Sequence, residues 1–362
     1  MEPFLIYVLV IVFIALIFDF INGFHDAANA IATVVATKVL SPFVAVVFAA
    51  VLNFAAAFWG NHAVSGTIAK GIVNTDRVNK LLELNGFTSN SDMFFTTIVL
   101  CALIGAIVWN LITWWLGLPS SSSHALIGGF VGSAMVACGH LLHTVHGVIN
   151  WIEIAKICVF IVVAPMLGMI LGYALMIIVM WLFKKQTPKK VDWLFRYLQL
   201  LSSGAYSFAH GSNDAQKTMG IILFLLFSVN LPGVDKASLA PGGLLYDIIL
   251  FACFGCIALG TMSGGWKIVK TMGISITKLK PVGGFCAELS GAISVLFASS
   301  QGVPVSTTHV ITGSIVGVGA VHRLSAVRWG VATRIVWAWV ITIPAAAIIG
   351  ALSFFIAERF TF

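Results

Sequence analysis

Apolar residues fill this chain in long unbroken runs, with few of the polar interruptions that mark a water-facing side. Five runs occupy each half: residues 4–22, 42–69, 93–116, 120–138 and 151–183, then 197–212, 246–266, 282–301, 304–320 and 335–357. At about 20 apolar residues per crossing, they predict ten full crossings. Residues 25–38 and 214–227 are shorter and polar at their starts, and are read as two short helices. The fold class expected is an all-α polytopic membrane protein. The first run, Phe4 to Phe18, carries no charge and lacks the basic start and small-residue cleavage site of a signal peptide, so it is read as a retained span.

The pattern repeats. Aligned without a gap, residues 101–135 match residues 286–320 at ten of 35 positions, including Gly117-Leu-Pro119-Ser-Ser121-Ser-Ser-His124 against Gly302-Val-Pro304-Val-Ser306-Thr-Thr-His309. A second pair, Asn22-Gly23-Phe-His-Asp26-Ala against His210-Gly211-Ser-Asn-Asp214-Ala, lies at nearly the same offset. The chain therefore divides into a first repeat, 1–183, a basic linker, 184–196, and a second repeat, 197–362. Five crossings per half, an odd number, require the halves to be inverted. Loop charges agree: residues 267–281 hold Lys267, Lys270, Lys278 and Lys280 without an acid, and 321–334 hold Arg323, Arg328 and Arg334. Their counterparts, 70–92 and 139–150, are charge-balanced and free of Lys and Arg, respectively. With the linker cytoplasmic, the basic members lie inside and both termini outside. Inverted repeats are typical of secondary transporters, which bind near the bilayer midplane.

Composition narrows the classes further. The 362 residues are 59% apolar and only 9% charged, with a mean hydropathy of +1.02, which leaves no room for a separate soluble domain. The formal charge of +7 records orientation, and nucleic acid is not an expected partner. The six cysteines show no paired loop spacing, and Cys253-x-x-Cys256 lies inside an apolar run, where packing is the better reading. His140, His143 and His146 lack an acidic or cysteine companion and are read as an external loop.

Two elements carry candidate chemistry. Ser or Thr at a helix start, with Pro close by, caps the helix and gathers free N–H groups and hydroxyls. Ser121, Ser122 and Ser123 with Ser306, Thr307 and Thr308 would then form a neutral, donor-rich anion site. Asp26 and Asp214 are carboxylates at membrane depth, which are costly and by default functional. Each is placed where a span gives way to a short polar helix. With Asn22, Asn29 and Asn213 nearby, they suit a small cation or a proton; an N-cap at the membrane surface is the structural alternative. Glu288 is a third candidate, or a buried carboxylate bonded to hydroxyls, with Leu103 at the equivalent position. Lys217, opposite Asn29, would either neutralise Asp214 or contact an anion. His124 and His309 would contact ligand or buttress their turns.

Four motifs in order, Gly23-Phe-His-Asp26-Ala-Ala-Asn29-Ala-Ile-Ala-Thr33, Ala209-His-Gly211-Ser-Asn213-Asp214-Ala-Gln216-Lys217 and the two Pro-Ser/Thr-His elements, resemble the duplicated signatures of the PiT family of inorganic phosphate transporters. The second, with its Asn-Asp-Ala-Gln-Lys form, is similar to bacterial members. The resemblance covers the whole chain. It implies import of inorganic phosphate by symport with sodium or a proton, on a scaffold usually counted as twelve helices, in the bacterial inner membrane and commonly as a homodimer. It implies no catalytic residue and no cofactor beyond the coupling cation. Asp26 and Asp214 would serve cation and phosphate, holding sodium if sodium is the coupling ion; Ser121–Ser123 and Ser306–Thr308 would serve phosphate. Glu288 matches a functional Glu of eukaryotic members, whereas Asn53 stands where those members carry another Glu. Two other readings are a permease for sulfate or arsenate on the same scaffold and a membrane haem redox protein using the nine histidines.

Overall fold

The computed structural model describes residues 3–59, 62–86, 91–231 and 234–361. Gly60 and Asn61, within the expected 42–69 crossing, and residues 87–90, within the 70–92 loop, lie outside the described residues. Thirteen α-helices follow in order: α1 (Pro3–Ala36), α2 (Pro42–Ala55), α3 (Ala63–Gly71), α4 (Thr75–Leu84), α5 (Ser91–Leu116), α6 (Ser122–Leu141), α7 (Trp151–Leu182), α8 (Pro188–Ser228), α9 (Leu244–Ser263), α10 (Trp266–Lys270), α11 (Pro281–Ser300), α12 (Thr307–His322) and α13 (Trp329–Thr361). No strand is present among the described residues. The chain is an all-α polytopic membrane protein. Among the described residues, eight segments are long and apolar enough to cross a bilayer by length and composition. The two remaining expected crossings lie in α8, whose middle is rich in polar residues, and in the shorter α12. Large apolar side chains such as Phe13, Val162, Ile170 and Ile348 are exposed on α1, α7 and α13, a surface suited to lipid.

The expected breaks before Asp26 and Asp214 are absent. Residues 25–36 continue α1, and residues 214–227 continue α8, as uninterrupted helix of 34 and 41 residues. Gly23 and Gly211 are single interior glycines without a following proline, a combination a helix tolerates at about 1 kcal/mol each. The polar side chains that suggested a surface are instead met by partners from other helices. The linker also differs: Thr187 caps a helix that starts with Pro188 at its first position, so residues 188–196 are the first turns of α8.

Packing exchanges helices between the two ends of the chain. In reciprocal fashion, α7 packs on α12 and α13 on α6, while α9 packs on α1 and α2 on α8. Short helices follow the same rule, α3 against α8 and α10 against α1. Close approach at these contacts rests on glycine. A Cβ on Gly128 or Gly132 of α6 would overlap carbonyl oxygens of Ile343 and Ala347 on α13, and one on Gly313 or Gly317 of α12 would overlap those of Pro165 and Met169 on α7. Likewise, Gly23 abuts the Ile257 carbonyl and Gly211 the Asn53 carbonyl. Small residues four apart are the usual means of bringing membrane helices together, because lipid offers no hydrophobic drive between them.

Gly132→Ala and Gly317→Ala are each expected to destabilise the fold by about 1–3 kcal/mol, measured as a lower thermal unfolding midpoint in detergent. Gly255→Ala, whose added methyl meets nothing within 4 Å, should leave that midpoint unchanged.

Candidate functional site

The site begins at two turns. After α5 and α11, Gly117 and Gly302 adopt φ of +66° and +69°, a conformation that only glycine reaches without strain. The chain then runs extended through Pro119 and Pro304 to Ser121 and Ser306. These are the N-caps: Ser121 accepts from the His124 N–H at 3.2 Å and Ser306 from the His309 N–H at 3.3 Å. Proline thus precedes the cap by two residues and does not occupy the first helical position. Helix N-termini carry roughly half a positive charge, so α6 and α12 both begin with donors inside the bundle. The rings of His124 and His309 meet edge to face, 4.9 Å apart, and His309 stacks on Trp339, whose Nε1 donates to the Pro119 carbonyl at 3.1 Å. These histidines buttress the two helix starts against each other.

The carboxylates converge on that floor. Oxygens of Asp26 and Asp214 and a nitrogen of His210 lie within 4.8 Å of one another, all buried. Thr307 donates to Asp214 Oδ2 at 2.9 Å and Thr308 to Asp26 Oδ1 at 3.5 Å, so one helix start touches both acids. Asn29 donates to both hydroxyls, at 3.3 and 2.9 Å. Lys217 Nζ donates to Asp214 Oδ1 at 2.5 Å, to Ser123 Oγ at 2.6 Å and to the Val305 carbonyl at 2.6 Å, which ties the α6 start to the turn before α12. Lys217 both neutralises Asp214 and contacts hydroxyl from the opposite helix start.

Of the expected residues, Ser121, Ser123, Ser306, Thr307, Thr308, Asn29, Asp26, Asp214 and Lys217 gather here. Ser122 is buried with an unpartnered hydroxyl. Three others lie elsewhere. Asn213 turns to α11, donating to Ser299 at 2.6 Å. Asn22 makes no hydrogen bond to the cluster among the described residues and sits beside Asp19. Glu288 is held on α11 by Thr33 at 2.5 Å, Ser202 at 2.6 Å and Gln199 at 3.1 Å. Thr33 is seven residues beyond Asp26, about 10 Å along a helix, so Glu288 forms a second polar centre.

Sequence reasoning passed over His25 and His210. His25 Nδ1 lies 2.8 Å from Asp26 Oδ1, with Thr113 and Ser120 at its other nitrogen, 3.1 and 3.4 Å away. His210 Nε2 is 3.1 Å from Asp214 Oδ2, and its Nδ1 is 3.3 Å from Asn53 Oδ1. The i,i+4 spacing of His210 and Asp214 was the available signal for one of them. The two carboxylates supply hard oxygens suited to a small cation, and the hydroxyls and N–H groups suit an anion above it. Asn53, where a carboxylate was noted as missing, donates to Thr261 at 2.9 Å and serves as a support for His210.

Removing Lys217 leaves Asp214 buried beside one histidine. Lys217→Met is expected to cost about 3–5 kcal/mol of stability, with part recovered when Asp214→Asn is added; a double-mutant cycle on unfolding in detergent measures that coupling.

A profile of the phosphate transporter family matches residues 22–350. A protein of Rhizobium meliloti named "Probable low-affinity inorganic phosphate transporter" is 49% identical over 346 residues, covering 95% of both chains. One of the same name from Bacillus subtilis is 44% identical over 98% of both. Among solved structures, "The sodium-dependent phosphate transporter" superposes with a TM-score of 0.83 at 26% identity, covering 98% of this chain and 99% of that one. With the paired helix starts, the paired acids and a match that spans nearly the whole sequence, the chain belongs to the phosphate transporter family.

Proposed function

We propose that the protein imports inorganic phosphate by symport with sodium or a proton, alternating access to the cluster between α1, α8 and the starts of α6 and α12. The observation that carries this reading is the stacking of two functions in one buried place. Paired acids, Asp26 and Asp214, lie directly under hydroxyls and helix N-termini. Cation and anion would each lower the cost of binding the other there.

Access to the two turns is unequal, which supports alternation. A cavity of about 420 Å³ reaches Gly302 and Pro304 past Asn150 and Glu153. The equivalent turn is covered: Thr271 donates to the Gly117 carbonyl at 3.0 Å, and Lys267 donates to the Trp115 carbonyl at 3.2 Å while lying over the Trp114 ring. Helices α1 and α8 run in opposite directions, since Asp19 meets Thr218 and Thr37 meets Gln199. Inverted halves require that arrangement, with both termini outside in the orientation given by the loop charges. Cysteines introduced at Asn79 and Lys190, both exposed, should then label from opposite sides of the cell membrane.

Acid beneath the anion also gives discrimination. Phosphate keeps a proton at neutral pH and can donate to a carboxylate; sulfate only accepts and is repelled. An acceptor left unpaired costs roughly 1–3 kcal/mol, about ten- to a hundredfold in affinity. Labelled phosphate uptake into proteoliposomes under separately imposed sodium and pH gradients tests the reading. Excess arsenate should compete and sulfate at the same concentration should not. Asp26→Asn and Asp214→Asn should abolish driven uptake. Equal competition by sulfate would move the protein to a general oxyanion permease.

A further inference from the structure

Seven residues before Asp26, on the same face of α1, lies a third carboxylate, Asp19. It stands at the end of the uncharged run Phe4–Phe18 and is fully buried. Thr218 of α8 donates to its Oδ1 at 2.7 Å, and its Oδ2 has no partner among the described residues. Asn22, one turn on, is buried too, lies within hydrogen-bonding reach of the Asp19 carboxyl, and has an Oδ1 without a donor. The titratable groups that face Asp19 from its neighbours are Asp214 on α8 and Cys253 and Cys256 on α9. The nearby cation on α8, Lys217, is engaged by Asp214, Ser123 and Val305.

Two buried acceptor oxygens one helical turn apart, with no donor for either, each bear the desolvation cost of an unsatisfied group. Protonation of Asp19 removes a buried negative charge and turns its Oδ2 from an unpaired acceptor into a donor. A hard metal cation such as magnesium or calcium takes about six oxygens, and the side chains here offer two free ones, since the helix carbonyls are spent on helix bonds. A proton therefore fits the place better than a metal ion does.

We propose that Asp19, with Asn22 and Thr218, is a proton-binding site separate from the central acids, and that its protonation favours anion binding at them. The coupling half of this rests on the phosphate-import reading; the proton site itself does not. The proton comes from water and returns to water, and the O–H bond of Asp19 is the one bond made and broken. Asp19 lies about 10 Å from Asp26 along α1. At that separation and an effective dielectric constant near 20, one unit charge alters anion affinity roughly ten- to twentyfold.

The experiment has a spectral arm and a transport arm, both on the full chain reconstituted in lipid. Infrared difference spectra at neutral pH should contain the C=O stretch of a protonated, hydrogen-bonded carboxylic acid. Asp19→Asn should remove that band, and Thr218→Val, which deletes the donor to the carbonyl oxygen, should shift it to higher frequency. Carboxylic acid bands unmoved by both variants overturn the site, whatever the protein transports. If Asp19→Asn fails to fold, Thr218→Val decides this arm alone. In sodium-free proteoliposomes, the ratio of phosphate uptake with an acid exterior to uptake at equal pH should fall from roughly ten- to twentyfold toward one in Asp19→Asn. A ratio kept in full overturns the coupling. A parent protein that moves phosphate only when sodium is supplied overturns the coupling, one that moves none under either a sodium or a pH gradient refutes the import reading, and in both cases the spectra still decide the proton site.

Discussion

Two carboxylates held within 4.8 Å of one another in an apolar bundle set the terms for everything around them. Like charges that close cannot both be tolerated in low dielectric without opposite charge or aligned dipoles beside them. Each nearby feature meets part of that demand. Lys217 lies against Asp214, His25 against Asp26 and His210 against Asp214, and the start of α12 sends one hydroxyl to each acid. Because such donors come from α1, α8 and α12 together, the acids cannot be satisfied until the ends of the chain have come together. The site is in that sense a product of the fold's exchanged packing rather than of any one segment.

That packing in turn depends on how near the backbones can come. Carbonyl oxygens of α13 and α7 rest where side chains of Gly132 and Gly317 would be, and those of α9 and α2 where side chains of Gly23 and Gly211 would be. The glycines of the signature motifs, one turn before the acids on α1 and α8, thus serve as close-contact points for α9 and α2. They bring α9 and α2 close enough for Thr261 and Asn53 to reach across to the backbone of Gly23 and to His210. A residue that looks like part of a binding motif in the sequence is a packing residue in the molecule.

Local chemistry was legible in the sequence and partnership was not. The caps Ser121 and Ser306 follow from four or five consecutive residues, as N-capping does, and the apolar runs locate the crossings. The polar stretches around Asp26 and Asp214 suggested broken helices, because polar residues in lipid ordinarily mark an end. Their satisfaction comes from Thr307, Thr308 and Ser123, some 90 to 280 residues away. Glu288 was visible as a buried acid, but nothing near it in sequence points to Thr33, Gln199 and Ser202. Asp19 was hidden differently: it borders Phe4–Phe18, and its donor Thr218 is 199 residues distant.

Several charged positions have no charged equivalent in the other half. The helix starts keep hydroxyls on both sides, and Asp26 keeps its match in Asp214, whereas Asn29 faces Lys217, Leu103 faces Glu288, and Asp19 faces Ser207 at the offset of the acid motifs. A site built from two like elements would present the same field toward either side of the membrane. Two of these three differences, those of Asp19 and Glu288, break that equality along one line, because Asp19, Asp26 and the Thr33 that holds Glu288 lie at seven-residue steps on one face of α1. The acids therefore form a series about 10 Å apart, with the starts of α6 and α12 at its middle. An ion moving along that face would meet a carboxylate before, at and after the place where the two helix starts converge. That order, absent from a symmetric duplication, gives the bundle a direction.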